Sequence, residues 1–438
     1  MYKIDAVTNW LEHQPKWVFS LFAILTAFST YACMYAFRKA YLAAGFSGYA
    51  YWGMELKTLL IIFQIIGYTL SKFLGIKFVS EMTANWRAWS ILGLILFSQA
   101  ALFCFWALPL PYSIFFLFLN GLPLGMVWGL VFSYLEGRTN TELLGAGLSV
   151  SFIVASGFVK SVGTWLIITF GISEYAMPFW TGMVFILPLF ISVWLLNHVP
   201  APTEEDIKQR VKRVPMSGRQ RWAFFKQFAT GIIVLSLSYL LLTAYRDLRD
   251  NYALEILTGL GFENISSLFT LTEIPIAIVV LAVMASLMLI KNNRKALLVN
   301  HGIIGGGLLL IGLSTAAFQL GLLSPYLWMV LVGLGSYLGY VPFNCILFDR
   351  FIATYRTAAN AGFLIYIADS FGYLSSVGLL VYKNFGQTDI SWLSFFTSFS
   401  YITAVIGVVL TIVSFAYFKQ KKSVVVTEPR LSKSYTMT

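Results

Sequence analysis

Across 438 residues, 58% of the side chains are apolar, 17% aromatic and only 11% charged, with a mean hydropathy of +0.76. A soluble globular domain carries about 25% charged residues, so the composition excludes water as the solvent of most of this chain and places it in a bilayer. The formal net charge of +11 would suit nucleic acid, but the placement of the basic residues follows membrane topology, and no nucleic-acid partner is expected.

A hydrocarbon layer about 30 Å thick takes about 20 helical residues. Twelve such windows are predicted, near residues 18 to 44, 55 to 76, 86 to 107, 111 to 134, 143 to 169, 178 to 198, 224 to 248, 265 to 290, 296 to 317, 326 to 348, 358 to 382 and 392 to 418. The pattern predicts an all-α integral membrane protein with twelve transmembrane helices in two six-helix halves. With the first tail read as cytoplasmic, basic residues from Lys3 and Lys16 through Arg138, Lys208 and Arg294 to Lys433 fall in inner segments, and Lys383 stands alone in the outer loops. This positive-inside bias predicts a multi-pass protein of the cell inner (plasma) membrane with both termini cytoplasmic. The tail ahead of span one carries acids and lacks a small-residue cleavage pattern, so span one is expected to stay in the mature protein.

An ionisable residue inside a span costs roughly 2.5 to 3.5 kcal/mol on insertion scales, so each is a functional candidate. Span one ends in YAFRKAY. Arg38 and Lys39 lie about 100° apart on the helix, and the reading assigns Arg38 to a central cavity and Lys39 to the rim or a neighbouring acid. Tyr31 and Tyr35 precede them on the same helix. Span two contributes Lys72 in YTLSKFLG, and span five contributes Lys160 in VASGFVKSVG. Residues 1–198 form the first bundle, residues 199–223 a cytoplasmic linker in which TEEDIKQRVKR could form a short surface helix, residues 224–418 the second bundle and residues 419–438 a cytoplasmic tail. Span seven repeats the motif of span one as TAYRDLRD, placing Arg246 beside Tyr245. Two guanidiniums converging on one cavity offer forked donors for phosphate or carboxylate oxygens. Arg249 is expected to pair locally with Asp247 or Asp250. Glu273 in span eight, Asp369 in span eleven and Asp247 are candidate coupling or structural partners of these cations.

Spans four and ten contain LNGLPLGMVWG and LVGLGSYLGY, small-residue patterns that let helix backbones approach closely. The span-four stretch, together with YAFRKAY, YTLSKFLGIKFVSE, TAYRDLRD, LTEIPIA and TAANAGFLIYIADSFGYLSS, gives the chain a resemblance to the major facilitator superfamily. Within it the chain resembles the organophosphate:phosphate antiporter branch, which includes glycerol-3-phosphate and hexose-phosphate transporters. The resemblance implies substrate-phosphate arginines at Arg38 and Arg246, Lys72 as a supporting cation, alternating access, and inorganic phosphate as counter-substrate. The sequence departs from the branch in span five, where Ser156 occupies the position of its histidine and Lys160 follows one turn later, and in the loop after span two, VSEMTANWR.

The expected partners are a small anionic substrate and the lipid bilayer, with the protein a monomer. Cys33, Cys104 and Cys345 fall within spans and His13, His198 and His301 lack paired ligand spacing, so neither a disulfide framework nor a metal is expected, and no cofactor. No GxxxxGK, HExxH or GxSxG motif occurs, which argues against an enzyme. Two alternatives to antiport use the same scaffold: a proton-coupled symporter in which Asp369, Glu273 or Asp247 titrates, and a transporter-like sensor of a phosphate ester.

Overall fold

A computed structural model describes residues 3–138, 140–204, 206, 218–355 and 361–421. Helix α1 (Asp5–Glu12) precedes α2 (Lys16–Lys39), which tightens into a 3-10 turn at Ala40–Ala43. A two-strand hairpin, β1 (Ala50–Tyr51) and β2 (Met54–Glu55), leads into α3 (Leu56–Glu81), α4 (Ala84–Ala107), α5 (Ile114–Phe132), α6 (Thr141–Phe170) and α7 (Met177–Asn197). The second half comprises α8 (Gly218–Asn251), α9 (Ala253–Gly259), α10 (Ile265–Leu271), α11 (Glu273–Met288), α12 (Asn293–Gln319), α13 (Pro325–Cys345), α14 (Leu347–Tyr355), α15 (Ala361–Gly386) and α16 (Trp392–Gln420).

Among the described residues, eleven helical segments are long and apolar enough to cross a membrane. At 26 residues, α15 is also long enough, about 39 Å at 1.5 Å per residue, and it is the eleventh of the twelve expected spans. Outward faces carry residues such as Leu187, Ile278, Leu313 and Val405, all exposed, as expected where lipid is the solvent. Backbone groups must then be satisfied within the protein. Ser391 accepts from the Ser394 amide at the start of α16, and Gly171 ends α6 at φ +65°, the left-handed conformation that glycine tolerates.

The eighth span is broken between α10 and α11, and the sequence explains the break. Pro275 has no amide hydrogen to give the carbonyl of Leu271. That carbonyl accepts from the Tyr326 hydroxyl instead, at 3.0 Å. Other features were not expected: α1, the β1–β2 hairpin, α9 between spans seven and eight, α14 beyond the end of span ten, and a start of α8 at Gly218, inside the expected linker. Most of the TEEDIKQRVKR helix and all of the tail beyond residue 421 lie outside the described residues.

Packing partners repeat with an offset of six spans. Span one (α2) packs on spans five (α6) and six (α7), as span seven (α8) packs on eleven (α15) and twelve (α16). Span two (α3) packs on four (α5), as span eight (α10 and α11) packs on ten (α13). Contacts between the two sets of six include α3 with α15 and α6 with α10 and α11, so spans two and eleven, and five and eight, exchange under the same offset. Close approach needs glycine at particular points. A Cβ on Gly121 of α5 would lie 2.3 Å from the carbonyl oxygen of Gln64 on α3. One on Gly335 of α13 would lie 2.5 Å from the carbonyl oxygen of Gly307 on α12.

Candidate functional site

A cavity lies between the two sets of spans. Arg38, Lys72, Arg246 and Asp369 line it together with Tyr31, Tyr35, Tyr68, Trp128, Phe152, Tyr340, Asn344, Ile365 and Tyr373. Three cations thus share the wall with one carboxylate, inside a largely aromatic enclosure.

The two arginines are oriented by tyrosines and held differently. The Arg38 guanidinium lies over the Tyr68 ring at 3.7 Å, with the Tyr35 and Tyr373 rings each at 5.9 Å. A ring against its flat face leaves the donor edge free to point elsewhere. The residue is 6% exposed, its Nε has no hydrogen-bond partner, and no carboxylate pairs with it among the described residues. Arg246 lies over Tyr340 at 3.9 Å. Its Nε and Nη2 donate to Asp247 Oδ1 at 3.2 and 2.7 Å, and the other Asp247 oxygen accepts from Ser376 at 2.8 Å. The expectation that Arg246, unlike Arg249, escapes local pairing is therefore corrected: its own neighbour neutralises it.

Lys72 also meets an acid, Asp369 Oδ2 at 3.1 Å, between the Tyr68 and Trp128 rings. Asp369 accepts a further hydrogen bond from the Tyr239 hydroxyl.

Several predicted site residues lie elsewhere. Lys160 and Ser156 do not line the cavity; both reach Asp250 Oδ1, at 2.7 and 2.5 Å. The other Asp250 oxygen takes Lys39 at 2.8 Å, and Lys39 also donates to Asn251. Asp250 thus gathers two lysines and a serine from the first six spans. Tyr245 points into the packing of the last six spans, its hydroxyl against Ser400 at 2.8 Å and its ring stacked on Phe396. Glu273 pairs with Arg249 at 2.8 Å, and Arg249 also donates to the Met329 carbonyl. The expected local pairing of Arg249 is corrected: it finds its acid 24 residues away, not in its own helix turn, because its side chain crosses to α11.

Further polar links join the two sets beyond the cavity, on the face opposite the one where α2 starts and α16 ends. Lys57 meets Glu255 at 2.5 Å, Thr58 meets the Tyr252 hydroxyl at 2.6 Å, and Asn384 donates to Thr58. In each of the four described ion pairs that cross between the sets, the base comes from the first six spans and the acid from the last six.

Sequence reasoning missed Asp250 as a junction and missed Tyr68, Tyr340 and Tyr373 as cavity walls. Tyr68 was open to discovery, since it stands four residues before Lys72 and so shares its helix face. The other two depend on how separate helices rotate against one another.

A profile described as "Family of unknown function (DUF5690)" matches residues 40–421. The chain belongs to this family. No curated protein matches it. Among solved structures, the human organic anion transporter MFSD10 (TETRAN) is similar at 12% identity and TM-score 0.55, over 92% of this chain and 100% of that one. A D-xylose-proton symporter is similar at 14% identity and TM-score 0.58, over 92% and 99%. The nucleoside transporter NupG is similar at 13% identity and TM-score 0.56, over 91% and 99%. The DUF5690 chain thus has the all-α major facilitator fold.

Proposed function

We propose that this protein is a secondary transporter that moves a small anionic solute by alternating access, an organophosphate exchanged for inorganic phosphate, with Arg38 as the principal anion-holding group. One observation carries the reading: a buried guanidinium forms part of the cavity wall with no carboxylate beside it among the described residues. An uncompensated buried charge is costly, and an anion entering from solution would remove that cost. Arg246 and Lys72 extend the cationic wall, and a bound anion would compete with Asp247 and Asp369 for them. The similar structure of MFSD10, described as an organic anion transporter, is in keeping with an anionic guest. By the positive-inside bias, the face bearing both termini belongs in the cytoplasm.

The empty cavity carries more positive than negative charge, which opposes closing the two bundles around it. A bound anion bridging both arginines offsets that repulsion, and reorientation then requires a ligand in each direction. Such coupling makes exchange obligatory.

The test is phosphate exchange in phosphate-loaded proteoliposomes, with inorganic phosphate, glycerol phosphate, hexose phosphates and carboxylates as external ligands. Hydrogen bonds to a charged group contribute about 1.5 to 3 kcal/mol, so Arg38→Gln should lower kcat/KM roughly 10- to 100-fold. Exchange at the wild-type rate in Arg38→Gln would remove the basis of the reading. A second reading, proton-coupled symport, is favoured by the position of Asp369 in the cavity wall between Lys72 and Tyr239. It requires uptake that collapses with a protonophore, whereas phosphate exchange survives one.

A further inference from the structure

We infer that Gln64 and Asn120 are positioning residues for Arg38, fixing the end of α2 with neutral hydrogen bonds so that the guanidinium is aimed without being neutralised. The inference rests on the reading of Arg38 as the anion-holding group. Helix α2 stops at Lys39, where the backbone (φ −116°, ψ −9°) leaves α-helical values for the 3-10 turn. Carbonyls in the last turn of a helix need outside partners, and lipid supplies none.

Two of those carbonyls are taken by side-chain amides. Gln64 Nε2 on α3 donates to the Arg38 carbonyl at 2.8 Å and to Asn120 Oδ1 at 2.7 Å. Asn120 Nδ2 on α5 donates to the Phe37 carbonyl at 2.9 Å and to the carbonyl and hydroxyl of Ser98 on α4. The Tyr41 hydroxyl closes the chain by donating to Gln64 Oε1 at 3.2 Å. Asn120 and Ser98 are fully buried and Gln64 is 2% exposed, so the network is sealed from water. Gly121, next to Asn120, permits the close contact between α3 and α5 that brings the two amides together.

The contrast with Arg246 gives the network its meaning. Arg246 is held by a carboxylate, which cancels its charge. Arg38 is held through its main chain by groups without charge, and its side chain keeps a full positive charge for a guest. Loss of either amide would let the end of α2 rotate and lift the guanidinium off Tyr68.

The test uses the reconstituted full-length protein with Gln64→Leu, Asn120→Leu and Ser98→Ala. Asn300→Leu serves as a control, since Asn300 is a buried asparagine whose amide donates within its own helix. Two quantities are measured: KM and maximal rate for inorganic phosphate exchange, and the rate at which phenylglyoxal labels Arg38, followed by peptide mass spectrometry. Gln64→Leu and Asn120→Leu should raise KM about tenfold with maximal rate changed less than about twofold, and Arg38 should label several-fold faster. Ser98→Ala should shift both quantities in the same direction by less, and it decides the matter if the leucine variants fail to fold. The control should leave both unchanged. Variants that lose only maximal rate or yield, with wild-type KM and labelling, would reduce the network to helix packing and overturn the inference. Should the wild type not exchange phosphate, the substrate reading falls, while the labelling rates still decide whether Gln64 and Asn120 position Arg38.

Discussion

Asp250→Asn probes the junction that joins the two sets of spans. Asp250 receives Lys160 at 2.7 Å and Lys39 at 2.8 Å. At an effective dielectric of about 20, each pair attracts by about 6 kcal/mol before desolvation is counted. Removing one partner of a buried pair costs about 3 to 5 kcal/mol, because the remaining charge is stranded. Here the substitution strands two lysines. The penalty applies only while the bundles are closed at this face, since on opening both lysines become hydrated. A bias of about 3 kcal/mol towards the open form changes the ratio of the two states more than 100-fold. The assay is electron-spin distance measurement between nitroxides at Tyr112 and Leu322, which are 72% and 73% exposed on loops of the two sets, with Cys33, Cys104 and Cys345 replaced by alanine. Asp250→Asn should convert the main distance to a longer one. A distribution that superimposes on that of the parent protein would refute the view that these pairs hold the face closed.

Two further outcomes follow from packing and charge. Gly121→Ala places a Cβ 2.3 Å from the Gln64 carbonyl oxygen and should lower stability by about 1 to 3 kcal/mol, whereas Gly306→Ala, with open space around it, should be nearly neutral; equal melting temperatures in detergent would contradict this. Arg249→Met leaves Glu273 buried and unpaired and should cost about 3 to 5 kcal/mol, while adding Glu273→Met should restore much of the loss. The check is thermal denaturation of the single and double variants, and an unchanged Tm for Arg249→Met would rule out a structural role for the pair.

The scaffold was legible because each span announces itself locally, through a run of apolar residues long enough to cross a bilayer. Arg38 was legible for a related reason: snorkelling would have sent it to the face that the other basic residues avoid. Pairing was not legible to the same degree. Lys160 and Asp250 are 90 residues apart and Lys72 and Asp369 are 297 apart, so which acid a lysine meets depends on the rotation of helices that only folding brings together. Tyr245 shows the same limit. It adjoins Arg246 in sequence, and a step of about 100° along the helix is enough to send one side chain to the cavity and the other to Ser400. Arg249 defeated local reasoning in another way, since Asp247 and Asp250 were nearby but already engaged with Arg246 and the two lysines.

The division of signs across the midline has an implication for assembly. Lysines on one half meet carboxylates on the other, so two copies of the first half brought face to face would oppose ammonium to ammonium, and two copies of the second would oppose acid to acid. Whatever ancestry the repeated packing reflects, the present halves are complementary and cannot substitute for each other. Carrying them on one polypeptide guarantees that each meets its opposite in equal number.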